Sequence, residues 1–185
     1  MSEYNFLPNY NIETERILMR PFVLKDAKVV SELCNNYNIY KNTLTIPYPY
    51  SEEDAIDWIK YQIENFDPDR ELNLAIIDKS TSELVGCVGL ICSQIHLRCE
   101  IGYWIGEKYW GNGYATEAAR AAIVYVFEIM DYNKVHAKHF TTNPSSGKVM
   151  EKAGMKYEGT EREHYIKNGE FVDIASYSIL KREYK

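Results

Sequence analysis

The strongest constraint on the fold is a glycine pair that separates a strand-like run from a periodic helix. Gly111 and Gly113 lie in the segment E-K-Y-W-G-N-G-Y-A-T, residues 107–116. Such glycines allow a tight turn with free N–H groups, and a following helix brings its positive dipole end to the same point. The helix is predicted from small and apolar residues at spacings of three and four, which are Ala115, Ala118, Ala119, Ala122, Ile123, Val126, Phe127 and Met130. The segment therefore predicts either an anion-binding turn or an ordinary strand-turn-helix corner without a ligand.

The size and composition of the chain favour one globular domain. Its 185 residues, 45% hydrophobic and 26% charged, fit a domain of ordinary size. We predict a single domain over residues 1–185, with residues 1–13 as a loose lead-in. The formal charge of −6 disfavours a protein that holds duplex DNA through its phosphates, so no nucleic-acid partner is expected.

Cysteine usage and hydropathy predict a cytoplasmic protein. Cys34, Cys87, Cys92 and Cys99 form no C-x-x-C pair and have no histidines at zinc-ligand spacing, so we expect reduced core thiols and no metal. No apolar run approaches the roughly 18 residues of a membrane span. The N-terminus M-S-E-Y-N-F-L also lacks the basic flank and the apolar stretch of a signal peptide.

Periodicity along the rest of the chain predicts strands and helices in alternation. Further helices are predicted at residues 26–35 and 51–66 and from Asn143 to Gly154, and Ser51 with Asp54 resembles a capping box at the start of the second. Strands are predicted at residues 15–22, 72–77, 84–91, 98–105 and 135–142, and in a last hairpin of residues 156–166 and 171–180. Residues 36–50 are predicted to be a loop that flanks a substrate entrance or forms a packed surface connection. The fold class is therefore mixed α/β, with one mostly antiparallel sheet of six to seven strands and about four helices.

Four stretches of the chain, taken together, carry a family pattern. They are E-R-I-L-M-R-P near the start, C-E-I-G-Y-W-I-G before the glycines, Y-W-G-N-G-Y-A-T-E-A through them, and N-P-S-S-G-K-V-M-E-K-A-G-M near the end. In this order and spacing they resemble the GNAT acetyltransferases, and within them the ribosomal-protein N-acetyltransferases of the RimJ/RimL type. The resemblance covers nearly all of the chain. It implies a GNAT-like domain with splayed middle strands, acetyl-CoA as the donor and a primary amine as the acceptor.

The same resemblance implies a set of cofactor-binding residues. In that family the amides of the glycine loop, here residues 109–116, bind the pyrophosphate, and the strand before the loop pairs with the pantetheine arm. The implied set is Tyr103, Trp104, Ile105, Lys108, Tyr109, Trp110, Gly111, Asn112, Gly113, Tyr114, Ala115, Thr116, Asn143 and Ser146. Lys108 stands where glutamine or arginine is usual, and lysine offers charge without a planar fork. Asn143 binds the pantetheine amides, caps its helix, or does both.

Moving acetyl from a thioester to an amine needs a base, an oxyanion donor and a thiolate able to leave. Glu100 shares a predicted strand face with Trp104 and is the candidate base, through a water; the alternative is a surface or salt-bridged carboxylate. The resemblance implies the backbone N–H near Ile105 for the oxyanion. Met150 stands where many family members carry a tyrosine acid, whereas Ser146 matches the RimJ/RimL pattern for that role. The alternative for Ser146 is an ordinary first-turn serine.

We therefore predict an N-acetyltransferase that acts by direct attack in a ternary complex. The acceptor is a protein N-terminus, a ribosomal one among the candidates, or a small-molecule amine. An α-amine with a pKa of about 8 needs a weaker base than a lysine at about 10.4. The alternative is a CoA-binding regulatory or scaffold domain without turnover, which Lys108 and Met150 leave open. No membrane partner is expected, and a homodimer is compatible with the sequence. His136, His139 and His164 are spare catalytic candidates that we predict to be structural.

Overall fold

A computed structural model describes residues 10–184 and contains an eight-stranded mixed sheet. The strands are β1 (Ile12–Glu13), β2 (Ile17–Pro21), β3 (Glu71–Asp78), β4 (Leu84–Ser93), β5 (Arg98–Ile105), β6 (Lys134–Phe140), β7 (Lys156–Lys167) and β8 (Glu170–Leu180). Their order is β1-β2-β3-β4-β5-β6-β8-β7, and neighbours are antiparallel except for the parallel pair β5–β6. The helices are α1 (Ala27–Cys34), α2 (Tyr37–Tyr40), α3 (Glu52–Glu64), α4 (Tyr114–Glu128) and α5 (Pro144–Lys152). The predicted mixed α/β class is confirmed.

The described part of the chain has slightly more elements than predicted. One extra strand is β1, which lies within the predicted lead-in and pairs with β2; residues 1–9 of that lead-in lie outside the described residues. The extra helix is α2, inside the predicted loop of residues 36–50. Asn36 starts α2 because its side-chain oxygen accepts hydrogen bonds from the N–H groups of Asn38 and Ile39, at 2.8 and 3.2 Å. We missed this helix because one turn is too short to show periodicity.

Two apolar layers cover the sheet. On one face, α4 and α5 pack against the central strands, and Ala118, Ala119 and Ala122 of α4 are fully buried. Small side chains allow the helix to lie close to the sheet, while Phe127 near its end contributes a large buried ring, worth about 2–3 kcal/mol of burial. On the other face, α1 and α3 enclose a second cluster. The predicted buried face of α4 is confirmed.

The start of α3 follows the sequence signal. Ser51 accepts a hydrogen bond from the N–H of Asp54 at 3.1 Å, and the Asp54 carboxylate accepts one from the N–H of Ser51 at 2.8 Å. This reciprocal capping box holds the pKa of Asp54 below its usual value, chiefly through the Ser51 hydroxyl. Within residues 10–184, no helix has the length and apolar character needed to cross a membrane. No three His, Cys, Asp or Glu side chains of the same residues come together as a possible metal site.

Candidate active site

The two central strands, β5 and β6, pair over only three residues and then separate. The last pair joins Glu100 to His136. Beyond it β5 runs on to Ile105, paired only with β4, while β6 runs on to Phe140, paired only with β8. We call the resulting gap the β5–β6 opening. The splay that the sequence resemblance implied is therefore present.

The backbone direction of β5 decides which amides face this opening. The N–H of Gly106 donates to the carbonyl of Val85 on β4, at 2.9 Å. Since backbone groups alternate along an antiparallel strand, the amide of Trp104 also faces β4, and those of Tyr103 and Ile105 face the opening. The Ile105 N–H is thus directed where a bound carbonyl oxygen would need it.

Trp104 departs from the implied role. The same register makes its backbone part of the ladder opposite Cys87, and its side chain packs against the α1–α3 layer. Its backbone is therefore committed to the sheet and not to a pantetheine arm. The carbonyl of Ile105 is also occupied, because it accepts a hydrogen bond from Nε1 of Trp110 at 2.6 Å.

The glycine loop after β5 presents unpaired amides. Gly111 and Gly113 have φ of 80° and 84°, in the left-handed region that favours glycine, and Gly113 directly precedes α4. No acceptor among the described residues bonds to the N–H groups of residues 111–116. Unpaired amides at the positive end of a helix are the arrangement that binds phosphate.

Arg16 braces this loop from behind. Its Nη1 donates to the carbonyl of Asn112 at 3.0 Å, and its Nε donates to Glu117 of α4 at 2.7 Å. Thr14 donates to the other Glu117 oxygen at 2.5 Å. Burial opposes ionisation of Glu117, but the bonds from Thr14 and Arg16 outweigh it and lower its pKa. With the Asn112 carbonyl turned towards Arg16, the loop is fixed in one conformation.

Two tyrosines of the loop make side-chain contacts. The Tyr114 hydroxyl donates to Asp78 at 2.5 Å, which ties the start of α4 to the β3–β4 turn. Hydrogen bonds from Ser80 and then Tyr114 hold the pKa of Asp78 well below its usual range. The ammonium of Lys108 lies 4.7 Å from the ring centroid of Tyr109, and contact with that tyrosine raises the pKa of Lys108. Lys108 therefore contacts its own neighbour.

Glu100 lies at the closed end of the β5–β6 opening, beside His136. Their closest atoms, Oε2 and Nδ1, are 3.6 Å apart, and the Glu100 side chain is 40% exposed. Burial, followed by repulsion from Arg98 and the lysines at 134 and 138, lowers the pKa of His136 to about 4. At neutral pH the imidazole is therefore uncharged. The contact is not an ion pair, and Glu100 stays accessible to water.

Ser146 meets Tyr103 across the opening. The Tyr103 hydroxyl lies 3.0 Å from both the Oγ and the carbonyl oxygen of Ser146. Burial raises the pKa of Tyr103 to about 12, so the phenol stays protonated. Met150, at the position of the usual tyrosine acid, is 1% exposed and belongs to the core. Asn143 directly precedes α5, yet its side chain makes no capping bond within the described chain, which leaves its amide available to a ligand.

Helix α2 lies beside the opening and contacts both of its sides. Asn36 and Asn38 donate to the Glu107 carboxylate just after β5, at 2.5 and 2.9 Å. At the other side, the Tyr40 hydroxyl donates to Asn168 in the β7–β8 turn. Three rings form a tyrosine triangle, with centroids 5.7–5.8 Å apart; they belong to Tyr37, Tyr40 and Tyr48.

A family model described as an acetyltransferase (GNAT) domain matches residues 16–156. The chain belongs to the GNAT family. The N-acetyltransferase p20 of Bacillus licheniformis is 32% identical over 92% of this chain and 96% of its own length. These matches confirm the family resemblance seen in the sequence, and they show the chain to be an N-acetyltransferase of the GNAT type.

Solved GNAT structures share the fold of this enzyme. An acetyltransferase from Bacillus anthracis superimposes with a TM-score of 0.84 at 29% identity, covering 93% of this chain and 99% of that one. The ribosomal L7/L12 α-N-protein acetyltransferase RimL, in complex with coenzyme A, gives a TM-score of 0.83 at 18% identity, covering 92% and 97%. At that identity the RimL likeness concerns the fold alone. A GNAT fold binds acetyl-CoA, and the opening and the loop amides of this chain fit that cofactor.

Sequence reasoning missed three contributors to this site. Arg16 lies in the first family stretch, but its partners are about a hundred residues away, so only that stretch signalled it. Tyr103 was predicted to contribute only its backbone, so the role of its phenol was missed. His136 was predicted to be structural, but it lies opposite Glu100 in the parallel pair β5–β6 and is therefore a neighbour of the proposed base.

Proposed function

We propose that this GNAT enzyme acetylates a small cationic amine by direct attack on acetyl-CoA in a ternary complex. The observation that carries the proposal is the β5–β6 opening, which runs from the unpaired loop amides to Glu100. The loop amides of residues 111–116 would hold the pyrophosphate. The open backbone edge at Tyr103 would pair with the pantetheine arm, with Asn143 on the opposite side, which leaves the Ile105 N–H for the oxyanion.

The proposed mechanism assigns one group to each requirement of the reaction: a base, an oxyanion donor and a donor to the leaving sulfur. The uncharged amine nitrogen attacks the thioester carbon, the C–S bond breaks, and the amine proton passes through water to Glu100. The Ile105 N–H stabilises the oxyanion, since a preorganised amide needs no reorganisation as charge develops. Ser146 donates to the departing sulfur. A thiol with a pKa of about 8.5 leaves with little protonation, so this last role is the least demanding.

The tyrosine triangle supports a cationic acceptor. Tyr37 and Tyr48 are 53% and 48% exposed, so aromatic faces are open to a ligand beside the opening. The Lys167 ammonium lies 3.8 Å from the Tyr40 centroid, which is the kind of contact that a cationic acceptor would make with the two exposed rings. The spermidine N(1)-acetyltransferase of Vibrio cholerae, 24% identical over 91% of this chain and 95% of its own length, supports the same class. A protein N-terminus is the second candidate, favoured by YdaF of Bacillus subtilis, which is named as a ribosomal N-acetyltransferase and is 38% identical over 50% of this chain and 50% of its own length.

Thermal unfolding with acetyl-CoA tests the cofactor site. At a hundred times Kd, the ligand adds about 2.7 kcal/mol of stability, or roughly 5–10 °C for a domain of this size. Gly113→Trp should abolish the shift by filling the cradle. Gly169→Trp is the matched control, because Gly169 has a similar φ of 81° but lies in the β7–β8 turn and not in the glycine loop. A normal shift in the Gly113 variant would refute the cradle.

Release of CoA, followed by chromatography, tests turnover and the acceptor. Spermidine, other polyamines, amino acids and N-terminal peptides should be compared at equal concentration. Preference for peptides would overturn the acceptor class but leave the reaction intact. Cofactor binding without CoA release on any amine would favour the regulatory alternative.

We also propose the cytoplasm as the location, because Cys34, Cys87, Cys92 and Cys99 are all free thiols.

Glu100→Gln tests the base. It should lower turnover most below about pH 8, where more of the amine is protonated, and it should leave acetyl-CoA binding unchanged. An unchanged pH profile would remove Glu100 from this role.

A further inference from the structure

Two cysteines face one another across β4 and β5. Cys92 and Cys99 are direct partners in the antiparallel ladder, and their Sγ atoms are 2.8 Å apart. The Cys92 N–H donates to the carbonyl of Arg70, away from β5. The pair therefore occupies a non-hydrogen-bonded position of the ladder, where Cα atoms approach to about 4.5 Å. This separation lies within the range that a disulfide requires.

The two thiols differ in exposure and in proton affinity. Cys92 is partly exposed, whereas Cys99 is fully buried. The hydrogen bond from the Cys99 thiol lowers the pKa of Cys92, while that bond and burial raise the pKa of Cys99. Since the thiolate is the nucleophile, Cys92 is the thiol that meets an external oxidant first. Cys99 is in place to react second.

A cavity lies close to Cys92 in the chain, although Cys92 itself does not line it. Gln94, two residues further along, lines a cavity of about 460 Å³ together with Asp69, Tyr125 and Tyr132. A volume of this size accommodates a small molecule. The other two cysteines offer no such access, because Cys34 and Cys87 are buried in the α1–α3 layer and burial raises the pKa of each.

We propose that Cys92 and Cys99 form a redox-modification site, which small disulfides such as oxidised glutathione convert to a cross-strand disulfide. The Cys92 thiolate attacks one glutathione sulfur, which forms a mixed disulfide and releases one glutathione thiolate. That thiolate takes the Cys99 proton, and the Cys99 sulfur attacks Sγ of Cys92 and releases the second glutathione. Two cysteines are oxidised and one glutathione disulfide is reduced to two thiols. The new bond lies next to Glu100, at the closed end of the β5–β6 opening.

Peptide mapping of the full-length, folded protein tests this site. The protein is incubated with oxidised glutathione, its free thiols are alkylated, and it is digested with trypsin without reduction. Cleavage after Arg98 separates residues 80–98 from residues 99–108, so only a disulfide keeps these peptides together. The linked species should be about 2 Da lighter than the same two peptides combined with Cys87 alkylated and with Cys92 and Cys99 as free thiols, and Cys34 should react at least roughly tenfold more slowly.

Two variants identify the thiols. Residues 80–98 also contain Cys87, so Cys87→Ser should keep the link and Cys92→Ser should abolish it. Thermal melts of both variants establish that they are folded. The proposal is overturned if the link survives Cys92→Ser, if glutathione stays on Cys92 without a link, or if Cys92 and Cys99 remain fully alkylatable in the folded protein after oxidation.

Discussion

Replacing Arg16 with glutamine removes the brace behind the cofactor loop. The guanidinium joins the carbonyl of Asn112 to the carboxylate of Glu117, so it couples the loop to the first turn of α4. Glutamine is too short to reach both and carries no charge. We expect the loop to lose its fixed conformation while the rest of the sheet is unchanged.

The magnitude follows from the contacts that are lost. The Arg16 side chain is 47% exposed, so its ion pair with Glu117 is screened and is worth only about 0.5–1 kcal/mol. The bond to the Asn112 carbonyl adds about 1 kcal/mol. The sum lowers the melting temperature by roughly 3–8 °C in a domain of this size. If the bond to the Asn112 carbonyl is also what preorganises the loop amides, its loss should weaken acetyl-CoA binding about fivefold.

Calorimetric titration with acetyl-CoA, beside thermal melts, measures both effects. Lys79→Met is the matched control, because Lys79 is an exposed cation on the same edge that contacts Glu13 and Thr14 but not the loop. It should leave the dissociation constant unchanged. An Arg16→Gln protein that melts earlier but binds acetyl-CoA within twofold of the native enzyme would refute preorganisation of the loop. An unchanged melting temperature would refute the brace itself.

Three further predictions concern His136, Gly86 and the Tyr103–Ser146 pair. Because the pKa of His136 falls from its usual 6.5 to about 4, the contribution of this group to native stability should decrease by about 2.5 kcal/mol as pH falls from 6.5 to 4. His136→Gln should remove this part of the pH dependence in urea titrations. A methyl group at Gly86 would lie 2.3 Å from a backbone oxygen of β5, so Gly86→Ala should lower the free energy of unfolding by about 1–3 kcal/mol. Gly102→Ala is the control, because a methyl group there would have no atom within 4 Å. Equal losses of stability in the two variants would refute the close approach. Tyr103→Phe and Ser146→Ala should each lower kcat by less than about tenfold with Kd for acetyl-CoA unchanged, and the double variant should be no slower than either, since the two hydroxyls act as one unit. Additive losses would separate their roles.

Local signals in the sequence were enough to predict most of the fold. The α4 helix shows its buried face because alanines recur with helical period, and the glycines before it carry φ values that other residues rarely adopt. The capping box at Ser51 needed only four residues to be read. Each of these features depends on neighbours in the chain, so a single sequence contains it.

The side-chain contacts of the site depend on residues far apart in the chain. Arg16 and Glu117 meet only after β2 has joined the sheet beside β3 and α4 has packed across it. Tyr103 and Ser146 meet because β5 and β6 separate, and no local pattern signals where two strands stop pairing. The sequence predicted only a backbone role for Tyr103, and the contact of its phenol with Ser146 becomes visible only in the structure.

A cofactor site made mainly of backbone groups constrains the sequence in a particular way. It requires glycines where φ is positive and a strand whose amides face outward, but it requires few specific side chains. This explains how Lys108 and Met150 replace the usual family residues while the loop amides and the β5–β6 opening persist. The proposed acceptor side is built differently, from the rings and carboxamides of α2 and the β7–β8 turn. Substitutions there change the chemistry of the surface directly, so specificity can diverge while the donor site is retained.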